Sequence, residues 1–177
     1  MPPPIPVELE PHSPDWLEAA AREAQRLAEA LGPYLVAVHH IGSTAIPGIA
    51  AKPILDLIPE VRSLAGFDAC QPVLLQLGYE WWGEYGMAGR RYATLTDGAT
   101  GRRCIQLHVF ATGSPHIERH LAFRDFLRAH PAKAREYEAV KLRSRDQHPD
   151  NSHAYSDAKS AWILTTEAEA ISFYRGG

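Results

Sequence analysis

One stretch of the chain, His40-Ile41-Gly42-Ser43-Thr44-Ala45-Ile46-Pro47-Gly48-Ile49-Ala50-Ala51-Lys52-Pro53-Ile54-Leu55-Asp56-Leu57, sets glycine, hydroxyls, a lysine and a carboxylate at spacings that suit phosphate chemistry. Gly42 permits a sharp turn and a close backbone approach. Ser43 and Thr44 offer hydroxyl and N–H donors where a helical turn begins and an anion is favoured. Lys52 can add a positive charge to the same anion. Asp56 lies in the apolar run Ile54-Leu55-Asp56-Leu57-Ile58. A lone carboxylate in such a strand costs free energy unless it is paired or binds a metal. The segment therefore predicts a strand, a Gly-Ser turn, a short helical stretch and a second strand. That order puts a phosphate-sized anion beside the turn and a metal-binding carboxylate beside the anion. The competing reading is an Asp56 merely satisfied by an N–H group or an arginine.

These residues need elements to position them. Leu35-Val36-Ala37-Val38, after Gly32-Pro33, predicts a strand buried on both faces. Pro2-Pro3-Pro4-Ile5-Pro6 reads as an extended, partly disordered tail, and Val7-Glu8-Leu9 as a short edge strand. Ser13-Pro14 opens a helix that Gly32 stops. Ser63 to Leu77 reads as one helix, kinked or delayed by Pro72. Tyr79 to Glu84 and Arg90 to Thr96 predict an antiparallel pair, and Asp97-Gly98-Ala99-Thr100-Gly101 a turn. Cys104 to Phe110 is the next strand, with Cys104, Gln106 and His108 on one face. Helices start at Ser114-Pro115, at Pro131 and at Asn151 or Ser152. The expectation is an α+β (mixed α/β) fold in one domain, 1–177: a tail and edge segment over 1–12, a sheet core over 13–112 and a helical layer over 113–177. A cleft between sheet and helical layer is the default site.

Composition excludes some classes. With 18 Lys+Arg against 21 Asp+Glu, the net charge of -3 gives no general attraction to polyanions. Nucleic acid is not the expected partner, although Arg90-Arg91, Arg102-Arg103 and Lys133 to Arg145 are local basic clusters. Cys70 and Cys104 form no ligand spacing and read as reduced, buried thiols of a cytoplasmic protein. No apolar run is long enough to span a membrane, and no signal peptide is evident. His116 and His120 have a zinc-type helical spacing, but the order His-x-Glu-x-His and the lack of a third ligand speak against zinc. Tyr137 with Lys141, and Tyr155 with Lys159, read first as packed helix faces with snorkelling lysines.

Several blocks together resemble the GrpB family, of the nucleotidyltransferase superfamily. The Gly42-Ser43 turn followed by Asp56 fits the superfamily pattern of a Gly-Ser turn and a strand carboxylate about a dozen residues later. Gly89-Arg90-Arg91-Tyr92, Leu107-His108-Val109, His120-Leu121-Ala122-Phe123-Arg124-Asp125-Phe126-Leu127-Arg128 and the two Tyr-x-x-x-Lys pairs resemble further family blocks, in order. The superfamily's second acid is missing, since position 58 is Ile58. Glu60 shares the strand face of Asp56, but Pro59 is expected to end regular pairing.

The resemblance implies a nucleotidyltransferase-like small mixed sheet with a C-terminal helical layer, and transfer of a nucleoside monophosphate from an NTP, with Mg²⁺, to an unknown small-molecule acceptor. It implies catalytic and metal-binding roles for Asp56 and His108. Gly42, Ser43, Thr44, Lys52, Arg90, Arg91, His120, Arg124 and Lys159 would hold the nucleotide. His108 stays open between metal ligand, general base, partner of Asp56 and plain core histidine. The alternative implied function is a non-catalytic nucleotide or phospho-metabolite binding module linked to coenzyme A metabolism.

Overall fold

The structure, a computed structural model, describes residues 2–176. Its elements are α1 (Asp15–Leu31), β1 (Leu35–Ile41), β2 (Leu55–Val61), α2 (Leu64–Asp68), α3 (Gln71–Gln76), β3 (Tyr79–Trp81), β4 (Arg91–Thr96), β5 (Arg103–Ala111), α4 (Pro115–Ala129), α5 (Pro131–Gln147) and α6 (Ser152–Tyr174), with one-turn 3-10 segments at Gly32–Tyr34 and Ser43–Ala45. The strands form one mixed sheet in the order β1-β2-β5-β4-β3. β2 runs parallel to β5 and antiparallel to β1. The fold is α+β, as expected.

Strand alternation divides the sheet into two unlike faces. Leu55, Leu57 and Val61 of β2 join Ile105, Leu107 and Val109 of β5 in a core with Leu27 and Leu31 of α1, Phe67 of α2 and Leu74 of α3. The opposite face carries Asp56 and Ile58 of β2 and His108 and Phe110 of β5 toward the C-terminal helices, where Ile58 and Phe110 pack with Ile41 and Ile117. Pro115 and Pro131 sit in the first turns of α4 and α5, and the Asn151 side chain caps α6 by accepting from His153 and Ala154 N–H groups.

The structure corrects four expectations. β1 is an edge strand, not one buried on both faces, and Val36 is 46% exposed. Residues 63–77 form two short helices, because Pro72 falls in the first turn of α3 and cannot continue a preceding one. Pro59 does not end β2: it pairs with Val38 of β1, and beyond it the β5 pairing holds the same register, from Leu57↔Leu107 to Glu60↔Phe110. Val7-Glu8-Leu9 is no strand but part of a strap pinned from Ile5 onward. Ile5 N–H donates to Ser152 Oγ, Ser152 N–H to Ile5 C=O, Val7 N–H to Pro149 C=O, and Glu10 bridges Ala51.

Candidate functional site

The Gly-Ser turn leaves the end of β1 directly over Asp56, because Ile41 and Asp56 are register partners. Gly42 has φ 72°, and a Cβ there would stand 2.9 Å from Asp56 Oδ2. Only glycine meets both conditions. Helix α4 fixes the turn from behind: Arg124 donates to His40 C=O (3.1 Å) and Arg128 to Ala45 C=O (2.8 Å). Thr44 Oγ1 is engaged by His40 Nε2 at 2.8 Å. Burial pushes His40 down to about 4, with Asp56 opposing, so the ring is neutral at neutral pH.

Asp56 Oδ1 lies 2.9 Å from His108 Nε2. Burial works to raise the Asp56 pKa, but the His108 hydrogen bond, followed by the charges of His108, Lys52 and His120, outweighs it and holds the carboxyl below its ordinary value. The side chain keeps 30% exposure because it faces a cavity.

That cavity, ≈ 170 Å³, is lined by Gly42, Ser43 and Asp56 together with three lysines, Lys52, Lys141 and Lys159. The lysines stand over two buried tyrosines. Lys159 Nζ lies 4.2 Å from the centre of the Tyr155 ring and Lys52 Nζ 5.3 Å, while Lys141 Nζ lies 4.9 Å from that of Tyr137. Burial pushes Lys141 down to about 7 and Lys52 and Lys159 down to about 8. The charge of Lys159 adds to the effect on Lys52 and Lys141, and Asp56 opposes it on Lys52 and Lys159. Lys141, 1% exposed, donates to Ala50 C=O. Tyr137 is pushed up to about 12 by burial, against a hydrogen bond with Ser43. Three concentrated cations beside one carboxylate make a pocket suited to a polyanion.

Of the residues expected from sequence, the cavity brings together Gly42, Ser43, Thr44, Lys52, Asp56 and Lys159. His108 stands behind Asp56 as its hydrogen-bond partner and does not line the cavity. His120 stacks on His108 at 6.2 Å; burial, then Arg119 and His108, pushes it down to about 3. Arg124 holds the turn. Arg90 lies over the Tyr85 and Tyr92 rings and donates to Tyr85 C=O. Arg91 is not brought to the cleft, because it points to the α1 side and is taken up by Asp68 at 2.6 and 2.9 Å. Sequence reasoning passed over Lys141 and Tyr137 as packing residues. Their signal was the Tyr-x-x-x-Lys spacing that α5 shares with α6.

The donor set does not suit a resident two-metal centre. Glu60 is tied to His39 at 2.8 Å, position 58 is Ile58, and the described residues hold no group of three His, Cys, Asp or Glu that could take a metal. One ion shared with ligand phosphates fits, since Mg²⁺ commonly needs only one or two protein carboxylates in that setting.

The family model described as "GrpB protein" matches residues 6–169. The chain is 42% identical to UPF0157 protein YqkA of Bacillus subtilis over 96% of its own length, and spans about half (49%) of that protein. The crystal structure of GrpB from Enterococcus faecalis superposes with a TM-score of 0.87 at 36% identity, covering 94% of this chain and 99% of that one. Cid1, solved with its short product ApU, superposes at TM-score 0.53 and 14% identity, over 74% of this chain and 41% of Cid1, a likeness of fold alone.

Proposed function

The chain belongs to the GrpB family, with a nucleotidyltransferase-like fold, and from that premise we propose that its cleft binds the phosphates of a nucleoside triphosphate and transfers the nucleotidyl group to a small-molecule acceptor. The observation that carries this reading is the single cavity shared by the Gly42-Ser43 turn, three lysines and Asp56. Ser43 and the adjacent backbone hold the terminal phosphates, and Lys141 and Lys159 neutralise them. Lys52 faces the phosphate that is attacked. The acceptor oxygen bonds to the α-phosphorus, the bond to the bridging oxygen breaks, and pyrophosphate leaves. The hydroxyl proton passes to solvent water in the open cleft, while His108 keeps Asp56 oriented and ionised. Asp56 is the residue that would hold a Mg²⁺ arriving with the triphosphate, and the ion supplies Lewis-acid polarisation when bound.

Calorimetry with ATP, GTP, CTP and UTP, with and without Mg²⁺, on wild type and Asp56→Asn tests the proposal, together with pyrophosphate release. Mg²⁺-dependent binding and turnover, both lost in Asp56→Asn with the melting curve intact, is the expected result. Absence of binding by every triphosphate overturns it. One observation favours a second reading, a non-catalytic phospho-ligand module: the cavity holds one carboxylate, and Glu60 is held by His39. Triphosphate binding that is indifferent to Mg²⁺ and to Asp56→Asn, without pyrophosphate release, decides for that reading.

A further inference from the structure

A second, larger cavity, ≈ 460 Å³, opens beside the phosphate cleft. Its walls come from three distant parts of the chain: the strap from Ile5 to Glu10, the segment Lys52–Ile54, and the β4–β5 turn with the start of β5. Lys52 and Ile54 line both cavities, so the two adjoin, with Lys52 at their shared boundary.

Size separates their roles. Sites that enclose a drug-sized ligand occupy roughly 300–1,000 Å³. The ≈ 170 Å³ phosphate cleft falls below that range, and the adjoining ≈ 460 Å³ lies within it. A nucleotide with its phosphates against the lysines must place the rest of itself elsewhere, and the adjoining space lies beyond Lys52. The lining also defines the chemistry. It contains no aromatic ring, so it offers a base no face to stack on. It contains Glu8, Glu10 and Asp97 as acceptors, and Arg102 and Arg103 as donors. Arg102 is paired with Glu8 at 2.7 Å, whereas the half-buried Arg103 side chain makes no hydrogen bond or ion pair among the described residues.

Building on the phosphate-binding reading above, we propose that this larger cavity is the nucleoside subsite of the same ligand. It reads ribose hydroxyls and the polar edge of the base through hydrogen bonds from Arg103 and to the surrounding carboxylates. Lys52, at the junction, faces the phosphate that joins polyphosphate to nucleoside.

The test compares inorganic tripolyphosphate with ATP, GTP, CTP and UTP on wild type, Arg103→Gln and Thr100→Trp, the last placing a bulky ring at the cavity rim. In wild type at least one nucleotide should bind more tightly than tripolyphosphate, by about tenfold, the scale of one added hydrogen bond to a charged group. Thr100→Trp should abolish that advantage and leave tripolyphosphate affinity unchanged, which also reports that it folds, and Arg103→Gln, whose charge reaches Lys52, should weaken the nucleotide far more than tripolyphosphate. If nucleotides bind no better than tripolyphosphate, or the variants weaken both ligands equally, the subsite is overturned while the phosphate cleft stands. If tripolyphosphate and all nucleotides fail to bind wild type, the phosphate reading itself falls and takes the subsite with it.

Discussion

The two faces of the sheet are made by the same strands and obey opposite rules. On the α1 side, Leu57 and Leu107 are fully buried among Leu27, Phe67 and Leu74. One residue away on each strand, Asp56 is 30% exposed to a cavity, and His108 is its hydrogen-bond partner. The first face gains stability from close packing without polar atoms to satisfy. The second holds Lys52, Lys141 and Lys159 against two tyrosines, a concentration of like charge that a structure built only for stability has no reason to keep. Strand parity thus lets a short β2 serve both ends: its odd residues anchor the fold, and Asp56 works from that anchor.

The contrast can be broken in order of size. Leu57→Ala should cost about 2–5 kcal/mol in urea unfolding, the range for a large-to-small change in a tight core. The fraction that stays folded should bind tripolyphosphate as wild type does; a specific loss of affinity would show that the faces are not separable. Gly42→Ala combines a left-handed backbone with a contact on Asp56, and should cost about 1–3 kcal/mol while also weakening anion binding. A loss confined to stability would detach the turn from the site. Lys141→Met keeps the buried stem and removes the charge. It should leave the unfolding midpoint equal or higher and weaken tripolyphosphate about tenfold; marked destabilisation would make Lys141 a structural residue.

The smallest effect is a slope with pH. Lys52, Lys141 and Lys159 have folded pKa values of about 8, 7 and 8, below the usual 10.5. Between these values the unfolded chain binds more protons, so the stability of the ligand-free protein rises with pH there. Thermal melts from about pH 7 to 9 should therefore shift upward, and tripolyphosphate, which favours the charged lysines, should flatten or invert the shift. A ligand-free protein that loses stability over this range would contradict the buried-lysine account.

Local chemistry was legible in the sequence. Gly42, Ser43 and Asp56 could be picked out because turn, hydroxyl and strand carboxylate are encoded within one short segment, and the proline and asparagine signals gave the starts of α4, α5 and α6. Strand neighbours were not legible. Nothing local shows that β1 is an edge, that Pro59 can sit inside β2, or that Arg91 finds Asp68 on the far face. These depend on pairings between distant segments, and a lysine such as Lys141 looks like any helical lysine until α5 is laid over the cavity. The Asp56–His108 contact joins residues 52 apart in sequence and needs the parallel β2–β5 pairing to form.

The strap has a consequence in time. The hydrogen bond from Ile5 to Ser152 closes a span of 147 residues, and the strap as a whole is held by a few such bonds instead of a ladder. Contacts this distant are entropically costly to close and are rewarded only after the sheet exists. The outer wall of the larger cavity is therefore among the last parts of the molecule to assemble and among the first to open. The amides of Val7 and Glu10 should exchange with solvent well ahead of those in β2, so the larger cavity breathes on a faster clock than the cavity at Gly42-Ser43.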